Sequence, residues 1–495
     1  MRPAASFRDP GGFCFALGER ILRVVSPDGL AQIDAFLTLA CARKALESRF
    51  LVPTRRLADV ELQPLRADGT FHAVVGQRAV GAVFEHEPIP FPSYAYEWPP
   101  EMLACAGEMT LDLAESALAE GFGLKDATPH NVLFRGPQPV FIDVLSFERR
   151  APDDPVWMAD AQFQRTFLLP LLAHQRFGMR LVDIFTTHRD GLEPEELFGL
   201  CGPVRKLSPP FLSLVSMPVW LARKSGGGEP SLYRARRLGD TEKARFILGA
   251  RFKNLRRQLQ RLKPAADKRS TWSGYMEAHS YEPEEFAAKE QFVSEALREV
   301  KPARVLDVGA NTGHFSALAA RAGAEVVAID LDAACVGRIW QRARVENLNI
   351  LPLVVDLARP SAPLGWRNQE CAGFLDRARG HFDAVLMLAL LHHLLVTERV
   401  PLDDALDVAA ELTRDALVIE FVAPQDEMFR RLARGRDELY AALDAAAFEA
   451  ACSRRFRIVR QARLGNPHRI LYLLRKRADG ASGMHARCSA ALPFS

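Results

Sequence analysis

The sequence predicts an α/β protein of more than one domain, with a largely parallel sheet in its C-terminal half and an α+β domain before it. The first observation is length, because 495 residues are too many for one ordinary hydrophobic core. The second is that strand-like and helix-like apolar patterns alternate from about Lys301 to Arg475, an order typical of parallel strands joined by crossover helices. The third is the run Val305–Ser316, in which a buried strand leads into a glycine-supported turn and a helix.

Composition and charge place the chain among ordinary soluble proteins. Hydrophobic residues make up 48% and charged residues 25% of the sequence, and no apolar run is long enough to cross a bilayer. The formal net charge of +3 gives no global field that would favour a nucleic-acid or membrane partner. The eight cysteines include no Cys-x-x-Cys pair, so we expect neither a zinc site nor a disulfide framework, and a cytoplasmic location.

Changes in composition divide the chain into four segments. We predict an α+β domain over residues 1–225, a basic helical linker over 226–270, a Rossmann-like α/β domain over 271–477 and a disordered tail over 478–495. The basic segment Tyr233–Lys263 has apolar residues at helical spacing. It is interpreted either as a packing helix or as a nucleic-acid arm, and we favour the packing helix because charge runs usually form solvated faces.

The N-terminal domain carries three polar residues at a distinctive spacing. A helix predicted over Met102–Glu120 precedes Asp126, and Asn131 follows five residues later. Two strand-like pieces come next, Val132–Phe134 and Val140–Val144. Asp143 lies near the end of the second piece, so an Asp, an Asn and a second Asp are distributed around a short hairpin.

This spacing resembles the catalytic machinery of protein kinases. The resemblance implies that Asp126 orients an acceptor hydroxyl and that Asn131 and Asp143 hold the Mg²⁺ of ATP. The sequence departs from the kinase pattern because it lacks a glycine after Asp143, a glycine-rich phosphate loop and the usual lysine, for which Arg23 is the candidate substitute. We therefore expect a degenerate kinase-like domain that binds a nucleotide or the acceptor, with ATP and Mg²⁺ as candidate ligands.

The C-terminal domain begins with a strand, a glycine turn and a helix. Asp307 ends the strand, and Gly309, Asn311 and Gly313 lie in the turn. Glycines there let the backbone approach a ligand, and the turn presents main-chain N–H groups at a helix N-terminus. Further strands are predicted over Glu325–Asp330, Ile350–Val355, Phe382–Met387, Ala416–Val422, Phe456–Gln461 and Arg469–Leu474, the last two as an antiparallel hairpin.

Two acids follow the second and third of these strands. Asp330, about 20 residues past the glycines, is placed to accept hydrogen bonds from two ribose hydroxyls, and Asp356 suits an adenine amino group. In this order the motifs resemble those of the class I S-adenosylmethionine-dependent methyltransferases. The resemblance implies a seven-stranded sheet in which Asp330 holds the ribose and Asp356 faces the adenine. It also implies that the methionine end of S-adenosylmethionine is cradled by the first turn, at Asp307, Gly309 and Gly313.

A nicotinamide-binding Rossmann domain is the main alternative, since dinucleotide folds share a glycine-rich turn. The acid after the third strand, the terminal hairpin and the Asp-x-Gly-x-Asn-x-Gly form of the turn favour the methyl donor. Asn311 stands where many methyltransferases have glycine, and Asn tolerates positive φ better than most residues.

The methyl acceptor is constrained by missing motifs and by two histidines. No Asn/Asp-Pro-Pro-Tyr motif follows the fourth strand and no Pro-Cys pair occurs in the domain, which disfavours base-amino and covalent pyrimidine methylation. His392 and His393 follow the fourth strand, where a base could remove the acceptor's proton. The alternative is that one of them caps or packs the next helix.

The sequence thus predicts an S-adenosylmethionine-dependent methyltransferase acting on oxygen or nitrogen of a small-molecule acceptor, such as a sugar or secondary metabolite. Two alternatives stay open. One is a bifunctional kinase-methyltransferase with Mg-ATP-dependent phosphoryl transfer in the N-terminal half; the other is an N-terminal half that binds a partner, or an RNA-directed methyltransferase. As a whole, the chain resembles bacterial proteins that join a kinase-like segment to a methyltransferase, some of them nodulation-protein-like.

Overall fold

The computed structural model describes residues 9–76, 78–224, 237–264 and 283–477. The chain divides into two compact units. The first unit comprises residues 1–280 and 303–378, and the second comprises residues 281–302 and 379–495. The predicted tail and much of the predicted linker lie outside the described residues. Among the described helices, none has the length and hydropathy needed to span a bilayer.

The first unit opens with a four-stranded antiparallel sheet in the order β1-β2-β4-β3. Its strands are β1 (Gly12–Leu17), β2 (Arg20–Val25), β3 (Thr54–Arg56) and β4 (Ala82–His86). Alternating apolar side chains such as Phe13, Phe15 and Val24 form its buried face, as period-two patterning requires. Four helices accompany the sheet: α1 (Pro27–Leu37), α2 (Ala40–Glu47), α3 (Asp59–Ala67) and α4 (Gly69–Val75).

A long buried helix and two small hairpins follow. Helix α5 (Pro100–Ala119) confirms the helix predicted over Met102–Glu120. The short strands are β5 (Phe122–Leu124), β6 (Val132–Arg135), β7 (Gln138–Phe141) and β8 (Phe147–Arg149). Strand β5 pairs with β8 and β6 with β7, both antiparallel. The second predicted strand ends earlier than expected, because Val144 starts a short 3₁₀ turn.

Helices dominate the next part of the first unit. They are α6 (Asp160–Phe163), α7 (Leu169–Phe177), α8 (Leu181–Thr187), α9 (Pro194–Leu200), α10 (Pro203–Leu207), α11 (Met217–Lys224) and α12 (Thr241–Leu262). Helix α12 packs on α5 through buried residues that include Phe252 and Leu259. Its cations pair with acids: Arg251 Nε lies 2.5 Å from Asp160, and Arg256 pairs with Asp112 at 2.7 Å.

The first unit also contains the first three strands of the Rossmann-like domain. Strands β9 (Arg304–Val308), β10 (Glu325–Asp330) and β11 (Ile350–Val354) are parallel, with β10 in the middle. The helix α13 (Pro283–Val300) precedes them in the chain and belongs to the second unit. Within the first unit, the strands are followed by α14 (His314–Arg321), α15 (Ala333–Val345) and α16 (Phe374–Ala378).

A buried ion pair joins two distant segments of the first unit. The Arg377 guanidinium pairs with Glu97, and their side chains are 6% and 1% exposed. Ser361 Oγ donates to Glu97 Oε1 at 2.5 Å, and the guanidinium also lies 5.0 Å from the ring centres of Phe91 and Tyr94. The segment before α5 and the segment that follows β11 are therefore fixed to each other.

The second unit contains four strands in a mixed arrangement. Strands β12 (Phe382–Met387) and β13 (Thr413–Val422) are parallel, and β14 (Phe456–Arg463) and β15 (Arg469–Lys476) form the predicted hairpin, with β15 antiparallel to β13. Its remaining helices are α17 (Leu391–Val396), α18 (Leu402–Leu412), α19 (Glu427–Ala433) and α20 (Ala445–Ser453). All seven predicted strands of the Rossmann-like domain are thus present among the described residues.

Candidate active site

The turn after β9 is held in a conformation that few residue types tolerate. Gly309, Asn311 and Gly313 have φ of 71°, 49° and 77°, a region that favours Gly and, less strongly, Asn. A Cβ on Gly313 would come within 2.9 Å of Ile339, so glycine is also required for space. Asp307, at the end of β9, is 3% exposed and accepts a hydrogen bond from Ser316 Oγ at 2.6 Å, which links the strand to α14.

Asp330 connects this turn to the end of β10. Its Oδ2 accepts from the backbone N–H of Asn311 at 2.8 Å, and its Oδ1 accepts from the N–H of Asp332 at 2.9 Å. Burial raises the pKa of Asp330 above its usual value, while the backbone N–H groups of Asp332, Asn311 and Leu331 oppose that shift. A carboxylate has about four acceptor positions, so each oxygen retains one position for a ligand.

Asp356 lies at the same edge of the three parallel strands. Asp330 pairs in register with Val354, and Asp356 follows two residues later. Its Oδ1 accepts from the Ala358 N–H at 2.9 Å, and its Oδ2 lies 3.1 Å from the largely exposed guanidinium of Arg359. Because carboxyl ends of parallel strands bind ligands in open α/β sheets, this edge is the candidate cofactor site of the first unit.

The two predicted histidines lie in the second unit, at the start of α17. His392 is 2% exposed, and its ring centre is 4.4 Å from that of His393. Neither ring nitrogen of His392 has a hydrogen-bond partner among the described residues. Burial lowers the pKa of His392 well below its ordinary value, with further lowering by His393 and Arg469, and burial also lowers the pKa of His393. Both rings are therefore neutral near pH 7, and each offers one nitrogen that can accept a proton.

Two buried ion pairs accompany His392, and sequence reasoning missed both. Lys289 Nζ lies 2.6 Å from Glu420 Oε2, with side chains 4% and 0% exposed. Arg469 binds Asp426 through two nitrogens, at 2.8 and 3.1 Å. Lys289, Asp426 and Arg469 each influence the pKa of His392, so both pairs lie in its surroundings. Glu420 lies near the end of β13, but nothing local in the sequence points to its partner Lys289.

The three kinase-like residues belong to one hydrogen-bond network in the first unit. Asn131 Nδ2 donates to the backbone oxygen of Asp126 at 3.3 Å and to Ser146 Oγ at 3.2 Å. Ser146 Oγ in turn donates to Asp143 Oδ2 at 2.6 Å. Burial raises the pKa of Asp126, and the charge of Asp143 adds to that rise. The structure therefore brings together the residues that the spacing had selected.

Arg23 is positioned against this network by a chain of buried contacts. Its NH1 lies 2.9 Å from Asp143 Oδ1, and its Nε donates to His86 Nε2 at 2.9 Å. Because that nitrogen accepts, the His86 proton is on Nδ1, 2.8 Å from Thr54 Oγ1. Burial and the Arg23 charge lower the pKa of His86 to about 3, so the ring stays neutral.

The same arrangement fits a divalent metal poorly. The described residues contain no group of three His, Cys, Asp or Glu side chains that could hold an ion. The Arg23 guanidinium already supplies the positive charge that Asp143 faces. Within the network the Arg23 guanidinium contacts one oxygen of Asp143 and Ser146 Oγ donates to the other, so a magnesium ion there would bind a carboxylate whose charge is already paired.

Comparison with known proteins adds independent findings. Residues 277–454 match the methyltransferase domain family. The nodulation protein NoeA of Rhizobium meliloti (strain 1021) is 32% identical over 476 residues, which cover 95% of each chain. Among solved structures, the N-methyltransferase NodS of Bradyrhizobium japonicum WM9 with S-adenosyl-l-homocysteine shares 16% identity, covering 40% of this chain and 90% of NodS with a TM-score of 0.30.

The bifunctional kinase-methyltransferase WbdD shares 16% identity, covering 40% of this chain and 41% of WbdD, with a TM-score of 0.29. At such TM-scores neither structural likeness supports a conclusion about this chain.

Proposed function

The chain belongs to the same family as the nodulation protein NoeA and is a class I S-adenosylmethionine-dependent methyltransferase, and on this premise we propose that it methylates an oxygen or nitrogen of a small-molecule acceptor. S-adenosylmethionine supplies a methyl group that is already activated on a sulfonium. The protein therefore has to bind the donor, align it with the acceptor and exclude water. The seven described cysteines form no disulfide with one another, which supports a reducing, cytoplasmic setting.

The main support for the proposed methyl-donor site is the hydrogen bonding of the Asp330 carboxylate. Each of its oxygens is fixed by one backbone N–H, from Asn311 and from Asp332. Two acceptor positions remain, matching the two adjacent hydroxyls of a ribose. Gly313, where a Cβ would collide with Ile339, lets the turn pack closely against α15. We assign the methionine end to the turn at Asp307, Gly309, Asn311 and Gly313, and the adenine to Asp356.

We propose that His392 or His393 is the base that removes the proton from the methyl acceptor. Burial keeps the His392 ring neutral and its ring nitrogens have no partner among the described residues, so a nitrogen is available to take a proton, although the lowered pKa makes the ring a weaker base than a free imidazole. As the new carbon–oxygen or carbon–nitrogen bond forms, the sulfur–methyl bond breaks with its electron pair returning to sulfur, and the acceptor proton passes to the ring. The two nearby ion pairs fix the elements that surround this ring.

The test is transfer of a tritiated methyl group from S-adenosylmethionine into fractionated bacterial extract. The fractions are small molecules, RNA and protein, and the product is then treated with mild base, which cleaves methyl esters and leaves ethers and N-methyl groups. We expect label in the small-molecule fraction with wild type, and much slower labelling with Asp330→Ala at limiting donor concentration or with His392→Ala. Label that enters only RNA or protein would reject the proposed acceptor class.

A second candidate function is favoured by the network at Asp126, Asn131 and Asp143. We propose that it binds a nucleotide or the acceptor rather than driving robust phosphoryl transfer, because Arg23 neutralises Asp143 where a kinase would place a metal. Calorimetry with ATP, in EDTA and then in excess Mg²⁺, distinguishes the options. Binding that does not need Mg²⁺ and is lost in Arg23→Met supports the proposal. Mg²⁺-dependent ATP turnover that disappears in Asp143→Ala would instead establish the bifunctional alternative.

A further inference from the structure

The second unit contains a cavity that methyl transfer leaves unexplained. It has a volume of about 590 Å³ and lies among the end of α17, the start of α18 and the segment 436–443. This volume is within the range of small-molecule sites, about 300–1,000 Å³. Tyr440 OH donates to the Leu395 backbone oxygen at 3.3 Å, and the Tyr440 ring packs edge-on against Phe429. These contacts hold segment 436–443 in place over α17.

The lining of the cavity is largely apolar. Its main side chains are Leu395, Val400, Leu402, Leu439, Tyr440 and Leu443. Leu439 is 73% exposed, so its side chain is open to contact with a ligand in the cavity. The one hydroxyl, on Tyr440, already has its partner. A sugar or nucleoside, which needs many hydrogen-bond partners, would leave its polar groups unpaired on these side chains.

The charged groups of the lining are both cationic. Arg399 and Arg436 line the cavity, and no acidic side chain does. Among the residues that the structure describes, neither guanidinium lies within ion-pair distance of a carboxylate, and Arg436 Nε donates only to the Ala433 backbone oxygen at 3.3 Å. The guanidinium fork matches the geometry of a carboxylate, so the cavity combines an apolar body with an anion-binding rim.

We propose that this cavity binds an anionic amphiphile, an unbranched acyl chain whose carboxylate meets Arg399 and Arg436 while its methylenes cover the leucines. The inference goes beyond the methyl-transfer proposal and stands without it, because none of the lining residues is assigned there to the donor or to the acceptor's proton. The apolar walls provide the affinity. The two arginines provide the preference for an anionic over a neutral head group.

The test is titration calorimetry of the full chain with octanoate, decanoate and dodecanoate, all below their micelle concentrations. Each added methylene should tighten binding about fourfold while the walls still have room, at one molecule per chain. Dodecanol serves as the neutral probe and should bind more weakly. Replacing Arg399 or Arg436 by Ala should weaken dodecanoate binding about two- to fivefold each, as expected for exposed ion pairs.

Arg431→Ala is the matched control, because Arg431 is an exposed arginine of α19 that does not line the cavity. It should leave the dodecanoate affinity unchanged, and Leu439→Asp should abolish binding by placing an anion among the methylenes. All variants are checked for unchanged binding of S-adenosylhomocysteine, which shows that they are folded. The proposal is overturned if dodecanoate fails to bind, binds at many sites, binds no better than dodecanol, or is weakened equally by the Arg431 control.

Discussion

Removal of the Asp330 carboxylate tests the donor site directly. In Asp330→Ala both ribose hydroxyls lose their acceptor, while the N–H groups of Asn311 and Asp332, bonded at 2.8 and 2.9 Å in the wild type, become free to bind water. A hydrogen bond to a charged group contributes about 1.5–3 kcal/mol, and water recovers part of that. We therefore expect a loss of about 1–3 kcal/mol in donor binding, or roughly 5- to 150-fold in Kd.

The isosteric change Asp330→Asn makes the reasoning sharper. An Asn side chain accepts through one oxygen only, and its NH₂ would face one of the two backbone N–H donors. We therefore expect Asp330→Asn to bind the donor no better than Asp330→Ala, although it preserves shape. If Asp330 contributed only its shape, Asp330→Asn would bind the donor as tightly as the wild type does.

The assay is calorimetric titration with S-adenosylhomocysteine, accompanied by thermal melts that verify folding. Glu346→Ala is the matched control, because Glu346 is an exposed acid at the end of α15 whose carboxylate pairs only with Arg321 and Arg342 in the described chain. Unchanged affinity in Asp330→Ala would refute the assignment and place the ribose elsewhere. An equal loss in the Glu346 control would show that general destabilisation, not a missing contact, is being measured.

Three further predictions concern catalysis, pH and packing. His392→Ala should lower the single-turnover methylation rate by about 10²- to 10⁴-fold with the donor Kd unchanged, and an unaltered rate would remove the base role. Because the pKa of His86 falls to about 3 in the fold, the unfolded chain binds a proton below about pH 6.5 that the folded chain does not. The contribution of His86 to the free energy of unfolding is therefore fully present above that pH and decreases as the pH falls, by about 2 kcal/mol at pH 5. In urea denaturation, the stability of His86→Gln should depend correspondingly less on pH. Arg377→Met leaves Glu97 buried without its cation and should destabilise the first unit by about 3–5 kcal/mol; adding Glu97→Gln should recover part of that loss, and a single variant as stable as wild type in urea would contradict the reasoning.

Local patterns predicted the strands and the acids at their ends. Continuous apolar runs identify the buried parallel strands, and a polar residue at or just after the end of such a run falls at the sheet edge, which is how Asp307, Asp330 and Asp356 were found. Asn131 and Asp143 were predictable for the same reason, because their spacing spans a single short hairpin. The catalytic and binding roles of these residues stay predictions until tested.

Contacts between distant segments could not be predicted in this way. Arg23 and His86 are 63 residues apart, and Lys289 and Glu420 are 131 apart. A helical or strand period reports only which face of its own element a residue occupies. Lys289 even contradicts its pattern, since lysine rarely lies on a buried face unless it is paired. One sequence gives no sign of that pairing, so both ion pairs around His392 emerged only from the structure.

The buried ion pairs bear on function through their placement. A buried pair is often no more stabilising than apolar residues of similar volume, because desolvation offsets the attraction. Such pairs fix geometry instead, since breaking one leaves a costly unpaired charge. Here Arg23 holds Asp143, Lys289 holds Glu420 at the end of β13, and Arg469 holds Asp426 beside His392. The first pair lies in the predicted kinase-like network and the other two lie around His392, so at these three places a buried charge holds its partner in one orientation.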